Sequence, residues 1–487
     1  MTEPTTAKRF LNLHFTTGTQ RIALSVAFLV LLFFEFSKTG LAIRTALTRS
    51  TPVDAKTQAL PGNRAIAQSE REGTFNSLRQ AFAEAHSPQS SLPQAILLAN
   101  DGATEDKFGN SVALSGDTAV VGSWFIGGAA YVFVRNGQNW MQQQKLMAND
   151  EEINLFGFAV AISGNTIVIT SPGQGAYVFV RNGVVWELQQ KLTVPALPSE
   201  GFGFSVAISG NSIVVGATDD NNSVGSAYVF VRDGVTWSQQ QHIVVSGVLA
   251  PARIGRSVAI DGDTIVLGAP GDFTGSGTTG SAYVFFRIGT VWALQQQLLA
   301  NDGLNNGAFG ISVDLNGDTV VIGGIGRRAA YVFIRTGTTW TQQQKLVASD
   351  DVASNGFGYS VAIRGDSLVV GARAGSSFGP IGSAYLFTRS GVVWAHKMKF
   401  LAIDGLVTDS FGQAVDLDDS SVLVGAPFDD VATTVNRGSA YIFSRSCEYS
   451  ISTAGQTVPA VGGTGSISVT AGANCAWSAV SNASWIS

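Results

Sequence analysis

Three observations predict an all-β fold, a seven-bladed β-propeller. One pattern recurs seven times, a tight Gly-Asp or Gly-Asn turn sits at one place in six of the copies, and no helical stretch separates them. The first copy, 108–150, reads as an apolar run, the Gly116-Asp117 turn, a second apolar run, a loop, Ala-Tyr-Val-Phe-Val-Arg, a second turn, then a Trp and a polar run. Its opening Phe-Gly returns at Phe108, Phe156, Phe202, Phe309, Phe357 and Phe411, and Ile254-Gly255 fills the gap, at spacings of 48, 46, 52, 55, 48 and 54 residues.

Composition sets outer bounds. A chain of 487 residues has room for more than one domain, and 45% hydrophobic residues supply a core. Charged residues are only 13% and glycine numbers 56, as suits β-structure with many tight turns. A net charge of -5 argues against a nucleic-acid partner, which needs a basic face. The two cysteines, Cys447 and Cys475, lie beyond the repeats, so no disulfide and no multi-cysteine metal site supports them.

Residues 1–44 carry Lys8, Arg9 and Arg21 ahead of the 13-residue apolar run Ile22–Phe34. A positive flank before a short apolar core is the pattern of an export signal. Extending the run to Ile43 reaches membrane-spanning length but takes in Glu35 and Lys38. The segment reads as a signal that is cleaved, or kept as a membrane anchor through residues 22–43, and a buried core helix is the third reading. The first two put the repeats outside the cytoplasm. Residues 45–93 are a polar linker with Pro52, Pro61, Pro88 and Pro93, and Phe75, Leu78, Phe82 and Ala85 predict a short helix over 73–86.

Residues 94–446 hold the propeller. Each unit offers four strands, in the first unit Ser111–Ser115, Thr118–Val121, Ala130–Arg135 and Trp140–Leu146. The first hairpin turns on Gly116-Asp117, Gly164-Asn165, Gly210-Asn211, Gly262-Asp263, Gly317-Asp318 and Gly365-Asp366, with Asp419-Ser420 in the seventh unit. Glycine supplies the positive φ such a loop requires. Unit seven stops at Cys447 without its Trp strand, whereas Gln94–Asp101 matches the strand ending the other units. The chain therefore begins with the outer strand of its last blade, which closes the ring and leaves no open edge.

The Phe-Gly positions, with Gly268-Ala269-Pro270 and Gly425-Ala426-Pro427, resemble the FG-GAP repeat family, which includes the seven-bladed head of integrin α-chains. The resemblance spans about 350 residues and implies a non-catalytic extracellular platform for a protein or glycan. The sequence departs from it in one respect. Calcium-binding relatives carry an Asp-x-Asp-x-Asp-Gly loop where this chain has only a two-residue turn, too short to give six oxygen ligands. The calcium sites are not carried over, no cofactor is expected, and Asp117, Asp263, Asp318 and Asp366 read as turn formers.

From each Trp to the next Phe-Gly position the chain takes 16 or 17 residues, but the loop between second and third strands spans 7 to 16. Both connections emerge on one face, so that face carries the diversity and is where recognition is expected. The candidate ligand-binding residues are Trp124 and Phe125, Asp219 and Asp220, Asp272 and Phe273, Arg327 and Arg328, Arg373, and Asp429, Asp430 and Arg437. The tyrosine and tryptophan found at one place in nearly every unit read as packing between blades, and runs such as Gln142–Gln144 read as a polar edge.

The repeats hold two histidines, His242 and His396, in different blades and on outer strands, and no Gly-x-Ser-x-Gly elbow, zinc-binding His pair or phosphate loop. A non-enzyme is expected. Residues 447–487 resemble the start of a BACON domain through Cys447, Tyr449, Gly462, Gly463, Cys475, Trp477, Trp485 and Ile486. That family is associated with carbohydrate or mucin binding. About 40 residues make a partial β-sandwich. The leading expectation is an exported binding or adhesion module for a protein ligand. A carbohydrate-binding surface protein is the alternative, and a propeller hydrolase or lyase the third.

Overall fold

The computed structural model describes residues 8–14, 95–445, 449–451 and 464–471, with short stretches left out at 126, 138, 149–154, 195–200, 274–279, 303–306, 351–355, 374–381, 407 and 432–433. The chain divides into two units, Ser90–Ser446 and a second formed by Met1–Gln89 with Cys447–Ser487.

The larger unit is a ring of seven four-stranded antiparallel sheets, six of them with their strands in chain order from the axis outward. In blade one the strands are Ser111–Ser115, Thr118–Ser123, Ala129–Asn136 and Asn139–Leu146. The innermost strands touch one another in succession, and the last, Ala414–Leu417, touches the first, Ser111–Ser115. The seventh sheet is completed by Ala95–Leu97, which pairs with Ser439–Ser444 through Ala95–Ile442, Ile96–Tyr441 and Leu97–Ala440. The N-terminal strand closes the ring, as the missing outer strand of unit seven predicted.

The core lies between blades. On one side of blade one, Val112, Leu114, Val121 and Phe133 pack with Leu423 and Ile442 of blade seven. On the other, Ala113, Val120 and Val132 pack with Ile167, Ile169 and Phe179 of blade two. Strand alternation sends successive side chains to opposite neighbours, so every blade is apolar on both faces. Burying each large side chain stabilises the ring by about 1.5–3 kcal/mol.

The Phe-Gly motif is a contact between blades. Its glycine has positive φ, +81° at Gly255 and +89° at Gly310, and abuts the glycine that ends the second strand of the blade before. A β-carbon on Gly216 would strike the Gly255 carbonyl, and one on Gly255 would strike the Ser226 carbonyl. Two residues on, a serine hydroxyl donates to the next blade's motif glycine: Ser111 to Gly157 at 3.0 Å, Ser205 to Gly255 at 2.7 Å, Ser257 to Gly310 at 3.0 Å.

Two more devices repeat around the ring. On the hairpin-turn face, Arg135, Arg287, Arg335 and Arg389 pair with the turn aspartates Asp117, Asp263, Asp318 and Asp366. Each of these arginines also bonds a serine or threonine hydroxyl of the preceding blade. The turn aspartates thus have a second use beyond forming the turn. The glutamine runs are more than a polar edge. The Gln144 side chain bridges the backbone N–H and C=O of Trp186 in the next blade, both at 2.8 Å, while Gln143 accepts from the Trp186 indole at 3.1 Å. Gln190–Trp237, Gln241–Trp292, Gln296–Trp340 and Gln344–Trp394 repeat the bridge. An outer-strand glutamine amide is long enough to reach the neighbouring strand, and once bound it leaves neither donor nor acceptor unsatisfied.

The smaller unit contains a three-stranded antiparallel sheet in which Thr464–Ala471 lies between Lys8–His14 and Tyr449–Ile451. The apolar run 22–43, the predicted helix at 73–86, both cysteines and the other sandwich-like residues except Tyr449 lie outside the described residues. Among the described residues no helix is long and apolar enough to cross a membrane.

Candidate functional site

The residue between the motif glycine and the serine position differs from unit to unit. Around the ring it is Asn110, Phe158, Phe204, Arg256, Ile311, Tyr359 and Gln413, each partly exposed. All seven stand at the start of an innermost strand, on the face that carries the variable loops, and so surround the mouth of the central channel.

One arc of this mouth is aromatic. Phe158 stacks edge-on against Phe204 at 5.0 Å between ring centres and against Trp124 at 5.7 Å, and Trp124 meets Phe125 at 5.3 Å. The Lys107 ammonium sits 3.9 Å from the Phe125 ring centre, 5.3 Å from Trp124 and 5.4 Å from Phe428. Trp124 and Phe125 thus fold inward onto the blade-two strand and a lysine, which removes the cost of exposing them.

The opposite arc is polar and cationic. The Arg256 guanidinium lies 4.5 Å from the Phe204 ring centre, at the edge of the aromatic arc. Tyr359 of blade six is near enough to act on it electrostatically. Arg373, from the variable loop of blade six, stacks over Tyr359 at 4.3 Å and donates to its hydroxyl at 3.2 Å and to the Gln413 carbonyl at 2.8 Å. Burial pushes the Arg256 pKa below its usual value, with the charges of Arg253 and Arg373 acting the same way. Among the described residues, no carboxylate lies within ion-pair distance of Arg256 or Arg373.

Three residues farther along their strands, about 10 Å deeper at ordinary strand rise, Asp314 and Asp416 replace the alanine of the other five blades. Asp416 accepts from Leu114 N–H of blade one and Asp314 from Ile363 N–H of blade six, both at 2.7 Å. Burial pushes both carboxyls up to about 7, and Asp314 adds to the rise at Asp416.

The other sequence candidates spread over the loops. Asp220 accepts from Ser226 and Tyr228 at 2.6 and 2.9 Å and faces His242 at 3.5 Å. Burial raises its carboxyl, but the bonds from His242, Ser226 and Tyr228 bring it below the usual range. Asp272 is 3% exposed and Asp429 5%, with carboxylates turned inward to Ser281 and Tyr283, and to Ser439 and Tyr441. Arg327 is buried against Asp302, and Arg437 bonds the Ala99 carbonyl at 2.6 Å. Asp219, Phe273, Arg328 and Asp430 remain at the surface, Phe273 45% exposed. Only Trp124, Phe125 and Arg373 of the twelve meet at the channel mouth.

A model of the FG-GAP repeat matches seven stretches, 93–133, 140–183, 186–230, 237–285, 292–333, 340–387 and 394–443. Together they cover more than half of the chain, which belongs to the FG-GAP repeat family. Each stretch starts near or on an outer strand and ends in, or one residue past, the third strand of the following blade, so the repeat runs across a blade boundary. Such propellers are typically non-catalytic and typical of extracellular or cell-surface proteins. Comparison with curated proteins found no match. Among solved structures, the crystal structure of Saccharomyces cerevisiae Sqt1 is similar at 11% identity and a TM-score of 0.41, covering 79% of this chain and 97% of that one.

Proposed function

We infer that this chain is an exported, non-catalytic binding module that recognises a protein ligand on the variable-loop face of its propeller. The observation that carries this reading is the mouth. Within Phe-Gly-x-Ser-Val-Ala the serine is alanine in two blades and the alanine aspartate in two, whereas x is in turn amide, aromatic, cationic and aliphatic, and x opens to the channel. Positions used for packing repeat, so a ring of unlike side chains on a rigid scaffold is available for recognition. Trp124, Phe125 and Arg373 extend the mouth, while Asp219, Phe273, Arg328 and Asp430 form a rim. Asp220, Asp272, Arg327, Asp429 and Arg437 shape the loops from within. The aromatic arc also suits a sugar ring, which keeps the carbohydrate reading in view.

The test offers the purified full chain to a panel of extracellular proteins and to a glycan array. The expected result is saturable binding to a protein that free sugars do not compete, lost in Phe158→Ser and kept in Val235→Ser on the opposite face. Binding that sugars compete and that disappears in Trp124→Ala replaces the protein ligand with a glycan.

A further inference from the structure

The cationic arc of the mouth sets two guanidinium groups against neutral partners, as Arg181 and Arg232 are set against hydroxyl and amide groups on the hairpin-turn face, but here beside an open channel. The four arginines paired with turn aspartates, and Arg327 beside Asp302, face a carboxylate. Arg256 and Arg373 face a phenol, a carboxamide and an aromatic ring instead. A half-buried guanidinium without an acid is costly to hold, and the same partly screened setting strengthens its pairing with any acid that arrives. Arg256 occurs at this position in one blade of the seven, so packing does not require it. The chain carries a net charge of -5, which makes a local excess of positive charge at the channel mouth more conspicuous.

We propose that the mouth receives an acidic side chain of the protein ligand, its carboxylate bridged by Arg256 and Arg373 and its apolar neighbour laid on Phe204 and Phe158. Tyr359 and Gln413 fix the Arg373 guanidinium from behind, since both bond it, and the Phe204 ring backs Arg256. A planar fork held on both sides presents its remaining N–H donors in one direction, which suits the two oxygens of a carboxylate. The aromatic arc begins 4.5 Å from the Arg256 guanidinium, close enough for adjacent residues of one peptide to use both. This proposal rests on the reading of the face as a protein-binding surface and names what that surface selects.

The experiment uses the full chain and two probes, N-acetyl-Phe-Asp-amide and its neutral counterpart N-acetyl-Phe-Asn-amide, with glucuronate as a sugar-borne carboxylate. Equilibrium dialysis at low salt measures each affinity. The Asp peptide is expected to bind about tenfold or more tightly than the Asn peptide, the effect of one charge-assisted hydrogen bond. Arg256→Gln and Arg373→Gln are each expected to erase the difference, and Lys397→Gln, the same charge change on an outer strand, to keep it. A thermal melt separates binding from folding, because Arg256→Gln removes a poorly solvated charge and is expected to leave the melting temperature unchanged or higher.

Equal affinity for the two peptides overturns the proposal, as does a difference that survives in both arginine variants. Glucuronate binding without a preference for the Asp peptide also overturns it. If no panel protein binds while the Asp preference holds, the protein-ligand reading fails and the anion site stands. If a panel protein binds with no Asp preference, the reverse is true.

Discussion

At the scale of single residues, glycines that share a left-handed backbone carry unequal burdens. Gly255 and Gly262 both lie in the left-handed region, at +81° and +55°. A β-carbon at Gly262 meets nothing within 4 Å, whereas one at Gly255 strikes the Ser226 carbonyl. Gly262→Ala should cost only the left-handed penalty, about 1–2 kcal/mol. Gly255→Ala adds a backbone collision and should cost at least about 2 kcal/mol more than Gly262→Ala. Urea unfolding midpoints of the two variants check the order.

Asp314 and Asp416 give a second residue-scale expectation. Their carboxyls stand near 7 in the fold against an ordinary 3.8, so the folded chain holds these protons more tightly than the unfolded one. Their contribution to stability is full below about pH 4 and is lost as pH rises through 7. Asp409, pushed by burial up to about 6, acts in the same sense. Asp101, lowered first by its bond from Lys145, acts oppositely and contributes above its unfolded value. Between pH 5 and 8 the melting temperature should fall, and the double variant Asp314→Ala, Asp416→Ala should flatten that slope in calorimetry. An unchanged slope would contradict the assignment.

At the scale of elements, the outer strands touch little, and glutamine bridges join them. Gln144→Ala removes two bonds to Trp186 and should lower stability by about 1–3 kcal/mol. In the closing strand Ala95 stands where five of the other outer strands have this glutamine, so the side chain that would bridge the Trp140 backbone is missing. Ala95→Gln should therefore stabilise the ring by about 1 kcal/mol, read from the same urea curves.

The tyrosine of each blade explains where several of the candidate loop aspartates point. Tyr131, Tyr331, Tyr385 and Tyr441 donate to Asp101, Asp302, Asp350 and Asp404 from the preceding connection. Blades three and four have Ala196 and Gly247 at that point, and there the hydroxyl turns to Asp220 or Asp272 of its own variable loop. Tyr441 of blade seven bonds acids from both loops, Asp404 and Asp429, and these links are visible only once both loops are placed beside the tyrosine.

At the scale of the whole molecule, blade number, strand order and closure were legible because packing repeats and each copy restates the same contacts. The mouth was not. Its seven residues sit inside a repeated motif, and their common exposure depends on the first strand being innermost, which is a property of the ring. Likewise Arg256 is one letter inside the repeated motif, and only the closed ring sets it beside Phe204 at the mouth.

The most direct test of recognition at the mouth is to replace Asn110, Phe158, Phe204, Arg256, Ile311, Tyr359 and Gln413 together by serine and to measure binding to the panel protein that the parent chain retains. The expected result is a chain that still melts cooperatively with β-type circular dichroism and no longer binds. Binding at the parent's affinity by the folded variant would contradict the account.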